Sequence, residues 1–253
     1  MEIAKTTGIA LSARPTGEAD VVCTYYTKEH GKKKFVFKGL RKSAKRSRAA
    51  VEPGAVADLV YYFREDRDRH IANEFHVRTF PASITGDLSK ILHLYFMLET
   101  VDKTCGYNIA DEGIYRLIIA GMDALAHTDF PQHCAAFFTL HLLKNHGILP
   151  DLRTCKSCGK NDFSRFTLDM LDLRPVCGEC LLMAPALLQP KNPLLPGSTA
   201  EFIGSCFAGK FSSIDCGKYP DRDIRELILV VSLFIENYYH TELKSKSFIL
   251  SDM

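Results

Sequence analysis

Between residues 7 and 80, apolar side chains fall on alternate positions: Ile9, Leu11 and Ala13, then Val21, Cys23 and Tyr25, then Phe35 and Phe37, then Leu59, Tyr61 and Phe63, then Phe75 and Val77. A period of two belongs to strands that bury one face. The pattern predicts five strands, separated by turn signals at Pro15-Thr16-Gly17, Glu29-His30-Gly31, Pro53-Gly54 and the charged run Arg64 to Arg69. Five short antiparallel strands make a small Greek-key barrel, of which the OB-fold is the best-known nucleic-acid binder. An SH3-like barrel fits the same count.

After Pro81 the period lengthens. Ile91, Leu92, Leu94, Tyr95, Leu98 and Val101 recur at helical spacing, as do Ile114, Leu117, Ile118, Met122 and Leu125, and Phe137, Phe138, Leu140, Leu142 and Leu143. Asp87 is a candidate N-cap for the first of these helices, and Gly106, Gly113 and Pro131 lie at or near helix ends. A further helix is predicted from Asp221 to about Tyr239, with Pro220 just before it. Four prolines between Met183 and Ser198 limit any helix there to short pieces. The expected architecture is α+β: a five-stranded small barrel over residues 1–81, then a mostly α-helical domain over 82–253.

Charge changes the picture in one place. The chain has 32 basic and 30 acidic residues, yet ten of the bases and one acid lie in the twenty-one positions from Lys28 to Arg48. That stretch carries +9 and the remainder −7. Ten like charges repel one another, and a polyanion such as a nucleic-acid backbone offsets that repulsion through counterion release. A solvated or disordered basic loop is the competing explanation. Placed on the predicted barrel, Lys32, Lys33, Lys34 and Lys38 belong to the third strand, where Lys34, Val36 and Lys38 face away from Phe35 and Phe37 and can line an open face. Arg41, Lys42, Lys45, Arg46 and Arg48 follow without apolar periodicity, as in a mobile loop extending the positive surface. Tyr25, Tyr26, Tyr61, Tyr62 and Phe63 are candidate base-stacking platforms, but each is more often core or rim packing, and stacking is assigned to none of them.

Cysteine spacing carries the clearest chemistry. Cys155-Lys156-Ser157-Cys158 and Cys177-Gly178-Glu179-Cys180 form a C-x2-C-x18-C-x2-C pattern. Each pair can bite one ion from a tight knuckle, and four soft sulfur ligands favour tetrahedral Zn2+. Four thiolates fill the coordination shell and leave no position for an activated water, so the ion is expected to be structural. Between the pairs, Phe163, Phe166, Leu168 and Leu171 suggest a short hairpin packed over the knuckles. The other five cysteines stand apart and read as small buried hydrophobes. With no apolar leader at the N-terminus and no run long enough to span a membrane, a reduced, cytoplasmic setting is expected. Phosphate-binding, dinucleotide, zinc-protease and nucleophile-elbow motifs are absent, and no catalysis is expected.

Several stretches together resemble one family. Arg14-Pro15-Thr16-Gly17-Glu18-Ala19-Asp20, Tyr26-Thr27-Lys28-Glu29-His30-Gly31-Lys32, Lys38-Gly39-Leu40-Arg41-Lys42-Ser43 and Pro53-Gly54 look like the N-terminal signature of the bacterial recombination mediator RecO. Phe138-Thr139-Leu140-His141-Leu142-Leu143, with Gly147, Pro150 and the paired cysteines, resembles its central region. The resemblance implies a non-enzymatic role in DNA repair by homologous recombination: binding single- and double-stranded DNA, annealing complementary strands, and working with RecR to load RecA onto DNA coated by single-stranded-DNA-binding protein, whose acidic tail such proteins contact. It implies an N-terminal five-stranded OB-fold barrel over residues 1–81 joined to a helical domain with a zinc finger inserted at about 152–182, DNA contacts among the bases from Lys32 to Arg48, and zinc on the four paired cysteines. Many members carry an arginine where this chain has Phe137, so no tail site is assigned. A zinc-ribbon RNA-binding protein acting in translation or ribosome maturation is the alternative, and a metal-dependent hydrolase a third reading.

Overall fold

The computed structural model describes residues 2–63, 68–183 and 193–250. All five predicted strands form: β1 (Glu2–Thr16), β2 (Asp20–Thr27), β3 (Gly31–Phe37), β4 (Val56–Phe63) and β5 (Arg69–Thr79). They close into a barrel in the order β1-β2-β3-β5-β4, with β3 and β5 parallel and the other pairs antiparallel. Closure depends on β1, which pairs with β4 through Glu2–Ile9 and with β2 through Gly8–Thr16. Gly8 sits at that handover, where a Cβ would come within 3.0 Å of the Tyr25 ring.

The barrel core holds Tyr25, Phe35, Phe37, Leu59 and Tyr61 with smaller residues between them. Phe35 meets Tyr61 edge-on at 5.1 Å, and Phe37 meets Phe75 at 5.0 Å. One strand departs from simple alternation. A β-bulge between Ala10 and Ser12 shifts the register of β1, so Ala10 enters the core cluster, Ile9 and Leu11 are buried outside it, and Ala13 is exposed.

The packing divides after Ala126, so the first compact unit takes in more than the barrel. The change of period at Pro81 marks the switch to helices; α1 (Ala82–Thr85), α2 (Leu88–Thr104) and most of α3 (Glu112–His127) belong to this unit. Asp87 caps α2, its carboxylate accepting the Lys90 N–H at 3.2 Å.

The second unit, from His127, contains α4 (Pro131–Asn145), strands β6 (Arg165–Leu168), β7 (Pro175–Cys177) and β8 (Leu195–Pro196), and helices α5 (Gly178–Met183), α6 (Gly197–Ala208), α7 (Asp221–Tyr238) and α8 (Lys246–Leu250). Helix α4 packs against α7 and α6. Helices α4 and α7 were expected. Helix α6 was not: it begins on Gly197-Ser198 and buries only Thr199, Phe202, Ile203 and Cys206. Much of the proline-rich stretch before it lies outside the described residues. Among the described residues no helix is long and apolar enough to cross a membrane.

Candidate nucleic-acid interface and metal centre

The third-strand lysines do not line an open face. Lys33 shares its side of the strand with Phe35 and Phe37, and Lys32 and Lys33 are only 5% and 6% exposed. The Lys33 ammonium donates to Asn108 Oδ1 at 2.8 Å and lies 5.5 Å from the Phe63 ring, and burial lowers its pKa. Lys32 points outward but donates to the Asp102 carbonyl and lies 3.5 Å from that residue's carboxylate. Its ammonium and that of half-buried Lys34 lie 4.3 and 4.5 Å from the Tyr107 ring centroid.

What covers these lysines is the connection between α2 and α3. The Asn108 N–H donates to the Lys32 carbonyl at 3.0 Å beside a parallel bridge from Lys32 to Tyr107. Tyr26 Oη donates to the Asp111 carbonyl at 3.3 Å, and Ser12 Oγ to Asp102 at 3.1 Å. Segment 102–111 therefore lies across the outer face of β1, β2 and β3, the face on which OB-folds ordinarily take oligonucleotides. The expectation of an open lysine face is corrected accordingly. Tyr25, Tyr26 and Tyr61 are buried, and Tyr62 and Phe63 half-buried.

The remaining cations sit on the crossover from β3 to β4, which is not the mobile loop expected. Two 3-10 turns, Leu40–Lys42 and Arg48–Val51, anchor it through buried Leu40, Ala50 and Val51. Guanidinium groups pin the stretch between them: Arg46 donates to the Lys38 carbonyl at 2.7 Å and the Asn73 carbonyl at 3.1 Å and stacks 4.7 Å from the Phe75 ring, while Arg48 donates to the Arg41 carbonyl at 2.6 Å. Arg46 thus spends its planar fork on its own backbone. Lys38, Arg41, Lys42, Lys45 and Arg48 stay exposed. Lys42 pairs with Glu18 at 2.8 Å, an exposed bridge worth less than about 1 kcal/mol. Between residues 45–47 of this crossover and residues 73–77 of β5 runs an open groove of about 560 Å³.

The second site is compact. The sulfur atoms of Cys155, Cys158, Cys177 and Cys180 all lie within 4.8 Å of one another, so the four can hold a metal ion. Each pair is placed by local backbone. Gly159, at φ +75°, turns the first knuckle so that its N–H reaches the Cys155 carbonyl at 2.9 Å. The second pair spans the end of β7 and the start of α5, with Cys177 held in register opposite Phe166 of β6. Lys156 draws Asp169 and Asp172 together at 2.8 and 3.2 Å across the hairpin, and Phe163 stacks on Phe166 at 5.3 Å. Leu171, expected to pack over the knuckles, is 77% exposed at the hairpin tip.

The donor set fits a soft divalent cation. Burial pushes the Cys155 thiol up, but N–H groups of Cys177, Cys158 and Ser157 outweigh it and hold its pKa at about 6. The neighbouring Cys158 and Cys177 side chains push Cys180 the other way, to about 12. Four thiolates this close repel one another, and a cation at their centre removes that repulsion.

Sequence reasoning brought the four sulfurs together. It missed Asp102, Tyr107 and Asn108, whose role depends on a contact some seventy residues along the chain, which no local pattern announces.

A closed barrel in the order 1-2-3-5-4, followed by a helical unit holding a paired-cysteine knuckle, defines an OB-like protein with a metal-binding module. Residues 1–75 match the family "Recombination protein O N terminal" and residues 85–247 match "Recombination protein O C terminal". The chain belongs to the RecO family, whose role is in DNA repair and recombination. It is 26% identical over 230 residues to the "DNA repair protein RecO" of Pelodictyon phaeoclathratiforme, covering 89% of this chain and 88% of that one. Against the protein of the same description from Thermoanaerobacter sp. it is 24% identical over 255 residues, 98% of each chain. Against that of Bifidobacterium longum subsp. infantis it is 30% identical over 163 residues, 63% of this chain and 67% of the relative.

Proposed function

We propose that this chain is a non-enzymatic, DNA-binding recombination mediator. It binds single- and double-stranded DNA, anneals complementary strands and, with RecR, helps load RecA onto DNA coated by single-stranded-DNA-binding protein. The observation that carries the reading is the gathering of exposed cations, Lys38, Arg41, Lys42, Lys45 and Arg48, on one pinned crossover of an OB-like barrel. Phosphate contacts of this kind bind backbones without reading bases. Held on two strands at once, they lower the mutual repulsion of the phosphates so that pairing can proceed. No bond is made or broken in that step.

The metal in this reading is one Zn2+ held by Cys155, Cys158, Cys177 and Cys180. Its sulfur shell leaves no coordination site for substrate, and its part is to fix the knuckles and the hairpin between them. The proposed setting is the cytoplasm, where thiols stay reduced and DNA is at hand.

The test is annealing of complementary strands coated with single-stranded-DNA-binding protein, followed with and without this protein and with RecR added. Acceleration that depends on this protein and needs no nucleotide is expected. Coated strands that anneal no faster in its presence contradict the reading. Preferential retention of RNA over DNA of equal length points instead to a role on RNA.

A further inference from the structure

We infer that a single DNA strand runs through the groove between the crossover and β5, not across the outer face of β2 and β3. This rests on the DNA-binding reading above and assigns its path. Two independent observations carry it. First, the β2–β3 face is already occupied: Lys32 and Tyr26 are bonded to Asp102 and Asp111, Lys33 to Asn108, and Tyr107 fills the space beside Lys34. A strand entering there must first strip off segment 102–111.

Second, β5 leaves β3 early. It pairs with β3 only through residues 69–71, while its other edge follows β4 up to Thr79. From Asn73 onward the edge that β3 abandons faces the crossover, and the gap is the 560 Å³ groove. Lys45 and Ser47 stand exposed on one wall, and His76 is exposed on the other. Arg46 builds the floor: with its donors on the Lys38 and Asn73 carbonyls and its plane on Phe75, it fixes the groove's width. The lining carries one acid, Glu74, exposed and in no ion pair among the described residues. Lys38, whose carbonyl takes a bond from Arg46, and Arg48, three residues beyond Lys45, are further exposed cations of the same crossover. A chain of phosphates is the ligand that this arrangement complements, and Glu74 is the side chain that opposes it.

Glu74 makes the inference testable by a gain of binding. In fluorescence anisotropy with a labelled oligothymidylate and the full chain, Glu74→Gln is expected to tighten binding and Lys45→Gln to weaken it, each on the order of three- to tenfold, with Lys45→Gln also lowering the salt slope by about one contact. Lys34→Gln, on the covered face, is expected to stay within about twofold of the wild type. Circular dichroism of each variant confirms folding, and photocrosslinking with iododeoxyuridine gives a readout without mutation: attachment at His76 is expected. DNA binding that ignores Lys45 and Glu74 but falls with Lys34→Gln, or crosslinks at Tyr107, overturns the assigned path and leaves the DNA reading standing. A wild-type chain that holds no DNA removes both.

Discussion

Replacing Cys177 by Ser is expected to release the metal and unfold the knuckle-and-hairpin module at about 152–182. Cys177 is 3% exposed, ends β7 opposite Phe166, and donates its N–H to Cys155 Sγ at 3.4 Å, so one residue ties the metal, the hairpin and the partner knuckle together. A serine hydroxyl does not ionise near neutral pH and cannot take the place of a thiolate on a soft cation. Structural zinc sites of this type contribute on the order of 10 kcal/mol to folding, so the loss of one of four ligands costs several. The apolar side chains between the knuckles, Phe163, Phe166, Leu168 and Leu173 among them, are buried over the same hairpin, so its packing is disturbed along with the metal. If the proposed zinc is the ion held there, elemental analysis is expected to fall from one metal per chain to near none, with the thermal midpoint lower by about 10 °C or more. A variant that keeps both its metal and its melting temperature refutes the ligand assignment.

The second large effect is expected at Gly31, where Ala should destabilise the fold by about 3 kcal/mol or more. Its φ of +63° is left-handed, which already costs a residue with a Cβ about 1–2 kcal/mol. Steric contact adds the rest. A Cβ at this position would lie 1.9 Å from the Ile109 carbonyl oxygen and 2.3 Å from its carbon, and both are backbone atoms that cannot rotate away. Segment 107–110 would have to lift, taking with it the Asn108 bonds to the Lys32 carbonyl and the Lys33 ammonium. Buried Lys33 would then lose the acceptor of its ammonium, and Lys32 the ring of Tyr107. Chemical denaturation measures the loss. A Gly31→Ala chain as stable as wild type would mean that 107–110 does not lie against this turn.

The barrel was legible because its strands alternate strictly enough to show their inner face: Phe35 and Phe37, Leu59 and Tyr61 are core in pattern and in place. Even the burial of Lys33 is written in that alternation, since it shares parity with Phe35; its neighbours' charge hid the signal. The covering of Lys32 was not legible, because it depends on Asp102 and Tyr107, and nothing local to either stretch marks the pairing. The pinned crossover was equally hidden. Guanidinium bonds to backbone carbonyls have no sequence signature, so Arg46 reads as a free charge when it is a fastener, and the single bond from exposed Arg48 to the Arg41 carbonyl is equally unannounced. The bulge at Ala10 and Ser12 moved Ala13 to the surface against its pattern, and α6 was missed because Gly197, Gly204 and the preceding prolines weaken its helical signal. The gathering of the four cysteines was legible, since two-residue spacing is itself the geometry of a knuckle.

The account stands on exposed crossover cations holding phosphates, and the most direct measurement is equilibrium binding of a labelled single strand from about 50 to about 300 mM salt. Five exposed bases, each worth about 0.7 in the logarithmic slope on single strands, predict a slope of roughly −3 to −4, falling toward −1 to −2 when Lys38, Lys45 and Arg48 are changed together to Gln. Affinity that is flat with salt, or a slope the triple substitution leaves unchanged, would contradict it.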